Sequence, residues 1–250
     1  MRSSTNASST TTAAGTFTGT VIALSLSSEH NFSKPNVSSI TLLAGLGVAG
    51  DCHAGETVQH RSRLHIRPAP TNLRQVHLIP LVTLQERGLK PGEMGENIVT
   101  SGLDLLGMPT GTKLLFVGGS ADDEGDASNG DNGGKEGPLA AEQRNHIKHP
   151  MTHDAMPPVK DDETVPPPPP TIVLTGVRNP CPQIEKFRKG LQETFIVRDA
   201  DRKIVHRLAG VMAVVEVGGV VKPGMRIEAV VPSTTIAEGE NSYNGPLQPV

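Results

Sequence analysis

Residues 210–231 read GVMAVVEVGGVVKPGMRIEAVV. Two runs, 210–217 and 225–231, are rich in Val, Ile and Met, and Gly218-Gly219 and Pro223-Gly224 stand between them. β-Branched side chains suit a pleated, half-buried surface, and Gly and Pro punctuate it. The same pattern recurs at 17–26 (FTGTVIALSL), 74–79 (RQVHLI), 112–117 and 171–177, with further turns at Pro91-Gly92 and Gly111. A helix is expected over 80–87, where Leu81 and Leu84 precede Gly88. No strand–helix alternation repeats, so a parallel sheet is not expected. The pattern predicts a mainly β chain: an antiparallel sheet closed, wholly or in part, into a barrel with a few short helices.

Composition sets the outer limits. The chain has 250 residues, 36% of them hydrophobic, with five Phe, one Tyr, no Trp, 27 Gly and 21 Pro. Such a chain suits neither a helical bundle nor an aromatic platform for stacking bases, so no nucleic-acid partner is expected. No apolar run reaches the ~18 residues of a membrane span, so no membrane partner is expected either. Two Cys do not make a disulfide framework.

Residues 1–16 are rich in Ser, Thr and Ala with Arg2 as their one base, and they read as a disordered tail. They have neither the apolar stretch of a secretory signal nor the several Arg of a mitochondrial presequence. Residues 119–170 hold 11 acids, 4 bases and 9 prolines and read as a disordered insert; residues 233–250 read as a second tail. A single domain is left over 17–232, interrupted by that insert. The whole chain carries −3, but without these three segments it carries +5, which suits a small anionic ligand. A cytoplasmic location is expected.

The most informative chemistry lies at 175–191, TGVRNPCPQIEKFRKGL. Pro182 suits a first helical position, Ile184, Phe187 and Leu191 share one helical face, and Gly190 suits a helix end. That register makes Cys181 the residue capping the helix start, with Arg178 three positions upstream. Both neighbours favour a thiolate, the form that acts as nucleophile or metal ligand. Cys52 has no such setting and reads as ordinary.

Three other stretches present polar groups on turns. Residues 45–50, GLGVAG, imitate a dinucleotide fingerprint, but the following DCHAGETVQHRSR lacks helical periodicity and the acidic residue that should come about 20 further on. The better reading is a turn presenting Asp51, His53 and Gly55, followed by Arg61 and Arg63. Asp51, Cys52, His53, His60 and His65 can be assembled into a zinc site on paper, but no CxxC, HxxxH or HExxH spacing supports it. Next, Gly92 and Gly95 permit a close backbone approach beside Glu96 and Asn97. Last, Arg207 stands just ahead of the strand at 210–217.

Taken in order, these pieces resemble the MOSC domain family, named for the C-terminal domain of molybdenum cofactor sulfurases, and its single-domain bacterial-type members most of all. The similar elements are G-x-x-GD-x-H-x-G at 47–55, GENI at 95–98, G-x-x-L at 111–114, R-x-PC at 178–181, R-x-x-G at 207–210 and GG-x-V-x-PG at 218–224. The resemblance implies a β-barrel with a cleft for molybdenum cofactor, and a cysteine, matched by Cys181, that carries persulfide sulfur or ligates molybdenum. Residue type assigns further roles: Asp51 and His53 to the catalytic set beside Cys181, with His53 hydrogen bonding or transferring a proton, Arg61, Arg63, Arg178 and Arg207 to the cofactor phosphate, and Gly95, Glu96 and Asn97 to the cofactor cradle and the pterin edges. Pyridoxal phosphate is not expected on this chain itself; a cysteine desulfurase-type partner would use it to supply sulfur.

Three functions follow. The first is a sulfur carrier holding persulfide on Cys181 for the cofactor or a metal–sulfur centre. The second is a molybdenum-dependent reductase of N-hydroxylated compounds with Cys181 as metal ligand. The third is a non-catalytic module binding cofactor or another anion.

Overall fold

A computed structural model of the chain describes residues 17–59, 65–118, 166–232 and 246–250. The N-terminal tail, nearly all of the acidic insert and most of the C-terminal tail expected from the sequence lie outside the described residues, as do His60, Arg61 and Arg63.

The strands are β1 (Phe17–Ser25), β2 (Asn36–Val37), β3 (Ile40–Leu43), β4 (Gly47–Val48), β5 (Val76–Pro80), β6 (Ile98–Ser101), β7 (Lys113–Val117) and β8 (Thr171–Val177), then β9 (Ile196–Arg198), β10 (Ile204–Arg207), β11 (Val211–Val217), β12 (Gly219–Val221) and β13 (Arg226–Val230). Two short α-helices, α1 (Leu81–Gln85) and α2 (Pro182–Phe187), and a 3-10 turn at Gln192–Phe195 accompany them. The main sheet runs β13-β7-β8-β11-β5-β6-β1-β2, and a β13–β1 pairing closes its first seven strands into a barrel, with β2 paired to the end of β1 outside it.

Closure depends on β1 serving both ends of the sheet. Phe17 to Thr20 pair antiparallel with β13, Thr20 to Leu24 pair with β6, and a register shift between Val21 and Ala23 bends the strand. Bulges of this kind let a twisted sheet curve back on itself. Every neighbouring pair in the barrel is antiparallel except β5–β6, which is parallel. Antiparallel β12-β3-β4 and β9-β10 form two small additional sheets.

Alternation fills the barrel. On β7 and β13, Leu114, Phe116, Ile227 and Ala229 point inward, and their neighbours along each strand are less buried. β5 is buried at all five positions because it separates two cores. Val76 and Leu78 belong to the barrel interior; Ile79 joins a second cluster outside it, with Leu84 of α1, Ile184 of α2, Leu191 and Phe195. His77 lies on that outer side too, where it lines an open cleft. A strand buried on both faces loses the polar half of its alternation, which fits Val76, Leu78 and Ile79, with His77 as the polar exception.

The sequence places the helices correctly and overstates their length. α2 stops at Phe187, three residues short of Gly190, and Gly190 still adopts a positive φ of 80°. Ile184 is buried as its spacing predicts; Leu191, beyond the helix and just before the 3-10 turn, is buried too, while Phe187 is half exposed and packs its ring 5.2 Å from that of Phe32. Residues 246–250 run beside β8, where the Val177 N–H donates to the Gln248 carbonyl at 2.9 Å.

Phe116 fills the barrel centre at 1% exposure, and Val220 is half exposed on β12. Phe116→Ala is expected to lower unfolding free energy by about 3–5 kcal/mol. Val220→Ala should change it by less than about 0.5 kcal/mol. Urea midpoints of the two variants check this ordering.

Candidate active-site cleft

The Asp51 turn is held from beneath. Gly47, at φ 112°, lets β4 run close to the Gln75 backbone and leads into the turn. The Asp51 side chain is fully buried and accepts a hydrogen bond from Lys34 Nζ at 2.6 Å, itself 1% exposed. It also accepts from Asn97 Nδ2 at 2.9 Å and from the His53 backbone N–H at 3.0 Å, and His53 Nδ1 stands 3.2 Å away. Burial alone would raise this carboxyl, but the His53 hydrogen bonds and the Lys34 charge outweigh it and hold Asp51 far below the usual carboxylate range. Asp51 is therefore a permanent anion that positions His53.

Asn97 joins this turn to the barrel. Its Oδ1 accepts from the His77 backbone N–H at 3.2 Å, and its Nδ2 reaches the Ser25 carbonyl at 3.3 Å as well as Asp51. Glu96 faces the other way. Its carboxylate accepts from the backbone N–H groups of Gly92 (2.5 Å) and Met94 (3.1 Å), and burial raises its carboxyl against those bonds. The two glycines flanking this turn meet the neighbouring loop: a Cβ on Gly92 would collide with the Lys34 carbonyl, and one on Gly95 with that of Phe32. Both also have positive φ, 92° and 68°.

Cys181 caps the start of α2 with extended backbone (φ −95°, ψ 161°), and Pro182 takes the first helical position. Its side chain makes no capping hydrogen bond, so the sulfur is directed elsewhere; it lines the cleft. The half-buried Arg178 side chain donates to the Met94 carbonyl at 2.5 Å and approaches His77 Nδ1 at 3.4 Å. Burial lowers the Arg178 guanidinium, and the Cys181 sulfur and then the Glu96 carboxylate pull it back up. Arg178 thus interacts electrostatically with both the sulfur and the buried carboxylate.

His77 completes the floor. Its Nε2 lies 2.8 Å from the Ala209 carbonyl, which assigns the ring proton to Nε2 and leaves the Nδ1 lone pair facing Arg178. Burial, and secondarily the charge of Arg178, holds this imidazole well below its ordinary value, so it stays neutral. Cys52 Sγ lies 3.2 Å from His53 Nδ1; burial and then the Asp51 charge push its thiol up.

The cleft is walled by the Asp51 turn and the start of α2 and opens to solvent. Of the residues singled out from sequence, His53, Gly95, Asn97, Arg178 and Cys181 line it, and Asp51 supports it from below. Glu96 and Arg207, expected at the cofactor, are engaged elsewhere: Glu96 on its own turn, and Arg207, through Nε, on Asn179 Oδ1 at 3.1 Å. Arg61 and Arg63 lie outside the described residues. Sequence reasoning missed Lys34, His77, Arg74, Phe32 and His30, which also line the cleft. His77 alone left a signal, as the one imidazole inside an otherwise strand-like run.

No protein-family model matches the chain, and no curated protein matches it by sequence. Solved structures do. The YuaD protein from Bacillus subtilis superimposes with a TM-score of 0.53 at 17% identity, over 88% of this chain and 99% of that one. YiiM from Escherichia coli (TM-score 0.41, 13% identity, 87% of this chain and 72% of that one) and from Geobacillus stearothermophilus (0.46, 12%, 87% and 77%) also match. The fold statement rests on the first. The chain has a MOSC-like, mainly β fold, and identity at this level speaks for the fold alone.

The neutral His77 imidazole makes stability pH-dependent in a definite direction. Its folded value lies below the unfolded 6.5, so as pH falls the unfolded chain takes up this proton first. The contribution is complete above pH 6.5 and is lost below it, by up to about 1.4 kcal/mol per pH unit. His77→Gln keeps a donor for Ala209 and should flatten the decline in the urea midpoint between pH 6.5 and 5. Equal slopes in the two proteins would contradict this account of His77.

Proposed function

We propose that this chain is a sulfur-handling protein: Cys181 carries a persulfide in a cleft that receives molybdenum cofactor or another metal–sulfur acceptor. The observation that carries the reading is the position of Cys181, on the cleft wall beside Arg178 and at the start of α2. The MOSC-like fold is consistent with it.

The residues present fit the cofactor at two of its ends. Cys181 offers a soft sulfur donor of the kind a thiophilic metal accepts. Arg178 and Arg74 supply the positive wall that a phosphate requires, and Gly95 leaves its part of the wall free of side chain. The pterin edge is a poorer fit for Asn97, whose amide is already used by Asp51, Ser25 and His77. Bound there, the cofactor would supply a metal centre able to accept sulfur or to exchange oxygen. Cys181 and Arg178 are the groups of this chain nearest that chemistry.

The loading step balances without an external oxidant. The Cys181 thiolate attacks the outer sulfur of a donor protein's cysteine persulfide. One S–S bond forms, the donor's S–S bond breaks, and the donor cysteine leaves as thiolate. Arg178 stabilises negative charge at the receiving sulfur, and the half-buried His53, held by Asp51, stands on the same cleft as a proton-transfer group.

Incubating the full chain with a cysteine desulfurase and cysteine, followed by persulfide tagging and peptide mapping, tests this. Labelling is expected at Cys181, absent in Cys181→Ser and retained in Cys52→Ser. Labelling unchanged by Cys181→Ser would remove the reading. Near-stoichiometric molybdenum that is lost with Cys181→Ser, without persulfide on the apoprotein, would favour a permanent metal ligand instead.

A further inference from the structure

We propose that His30, Cys52 and His53 form a three-ligand site for a zinc-class divalent cation at the mouth of the cleft. The three side chains come from two separate loops, and one ligand atom of each lies within 4.8 Å of the others. Cys52 Sγ is 3.2 Å from His53 Nδ1, and the His30 and His53 rings meet edge to face at 5.7 Å between centroids. Tetrahedral zinc with bonds of ~2.0–2.3 Å holds its ligand atoms ~3.3–3.7 Å apart. The site therefore needs to contract by only about one ångström, and His30 is the exposed member of the three.

The donors select the metal. Two imidazole nitrogens and one sulfur suit zinc and its neighbours, whereas magnesium and calcium take oxygen. Three protein ligands leave the fourth position open, and here His30 and His53 both border the cleft, so that position is available to a cleft ligand or to water. When the metal binds, the Cys52 S–H bond breaks, a sulfur–metal bond forms, and the proton goes to solvent with no change in oxidation state. Asp51 stands 3.2 Å from that same His53 Nδ1, so a metal taking Nδ1 would replace this contact, whereas one taking Nε2 would keep Asp51 as an outer carboxylate. The ring packing seen at His30 serves equally to hold two imidazoles at an unliganded rim, which the experiment distinguishes.

The proposal does not depend on Cys181. Metal-stripped full-length protein would be titrated with zinc against a chromophoric chelator, and with cobalt(II) to read the thiolate-to-metal charge-transfer band. One metal per chain is expected. His30→Ala and Cys52→Ser should each weaken binding at least about tenfold, the smaller effect expected even of an outer-shell change. Cys52→Ser should also abolish the charge-transfer band, and Cys181→Ser should leave both readouts unchanged. His30 is exposed, so His30→Ala remains decisive if Cys52→Ser fails to fold, with thermal melting as the check. The proposal is overturned by failure of the wild type to bind one equivalent, by binding in His30→Ala equal to wild type, or by loss in Cys181→Ser alone.

Discussion

A buried ion pair organises this cleft. Lys34 and Asp51 meet at 2.6 Å with both side chains essentially out of solvent, and the same carboxylate accepts from Asn97 and from His53. Removing one member of such a pair leaves a charge stranded, at a cost of about 3–5 kcal/mol, so the arrangement holds as a unit or fails as one. Through it, three stretches distant in sequence share one anchor: the loop before β2, the turn after β4 and the turn before β6. The anion of Asp51 is satisfied internally, which leaves the cleft itself governed by Arg178, Arg74 and the histidines.

The barrel supplies the rigid side of this arrangement. β5 is packed on the barrel interior through Val76 and Leu78 and on the outer cluster through Ile79. His77 is therefore fixed between two cores, and Arg178, donating to the Met94 carbonyl, is set against it. The outer cluster also holds α2 through Ile184, with Cys181 packed at its edge. The sulfur belongs to a short helix whose apolar face is seated, and it does not hang from a loose loop.

The long strands and the Cys181 helix start were legible because they depend on local pattern: β-branched runs, glycine turns, and a proline after the cysteine. The turn with Gly92 and Gly95 was legible as a close approach, though its partner, the backbone of Phe32 and Lys34, was not. The two-residue strands β2 and β4 carry too few residues to show a period. Lys34 and His30 sit in a polar loop where nothing local distinguishes them, and their significance comes from what the fold brings against them. Glu96 shows the converse: a carboxylate in a motif read as ligand-facing is used to satisfy its own turn. Cys52 reads as ordinary because it lacks the proline and arginine setting of Cys181; that His30 of another loop stands beside it is a product of the fold.

The central claim is that the Cys181 sulfur opens onto a cleft whose field favours anions. The most direct measurement is the rate of alkylation at Cys181 by iodoacetate relative to neutral iodoacetamide, mapped by peptide so that Cys52 is counted separately. The account predicts a ratio clearly above that of free cysteine, reduced in Arg178→Gln that melts as wild type does. A ratio equal to or below that of free cysteine would contradict it.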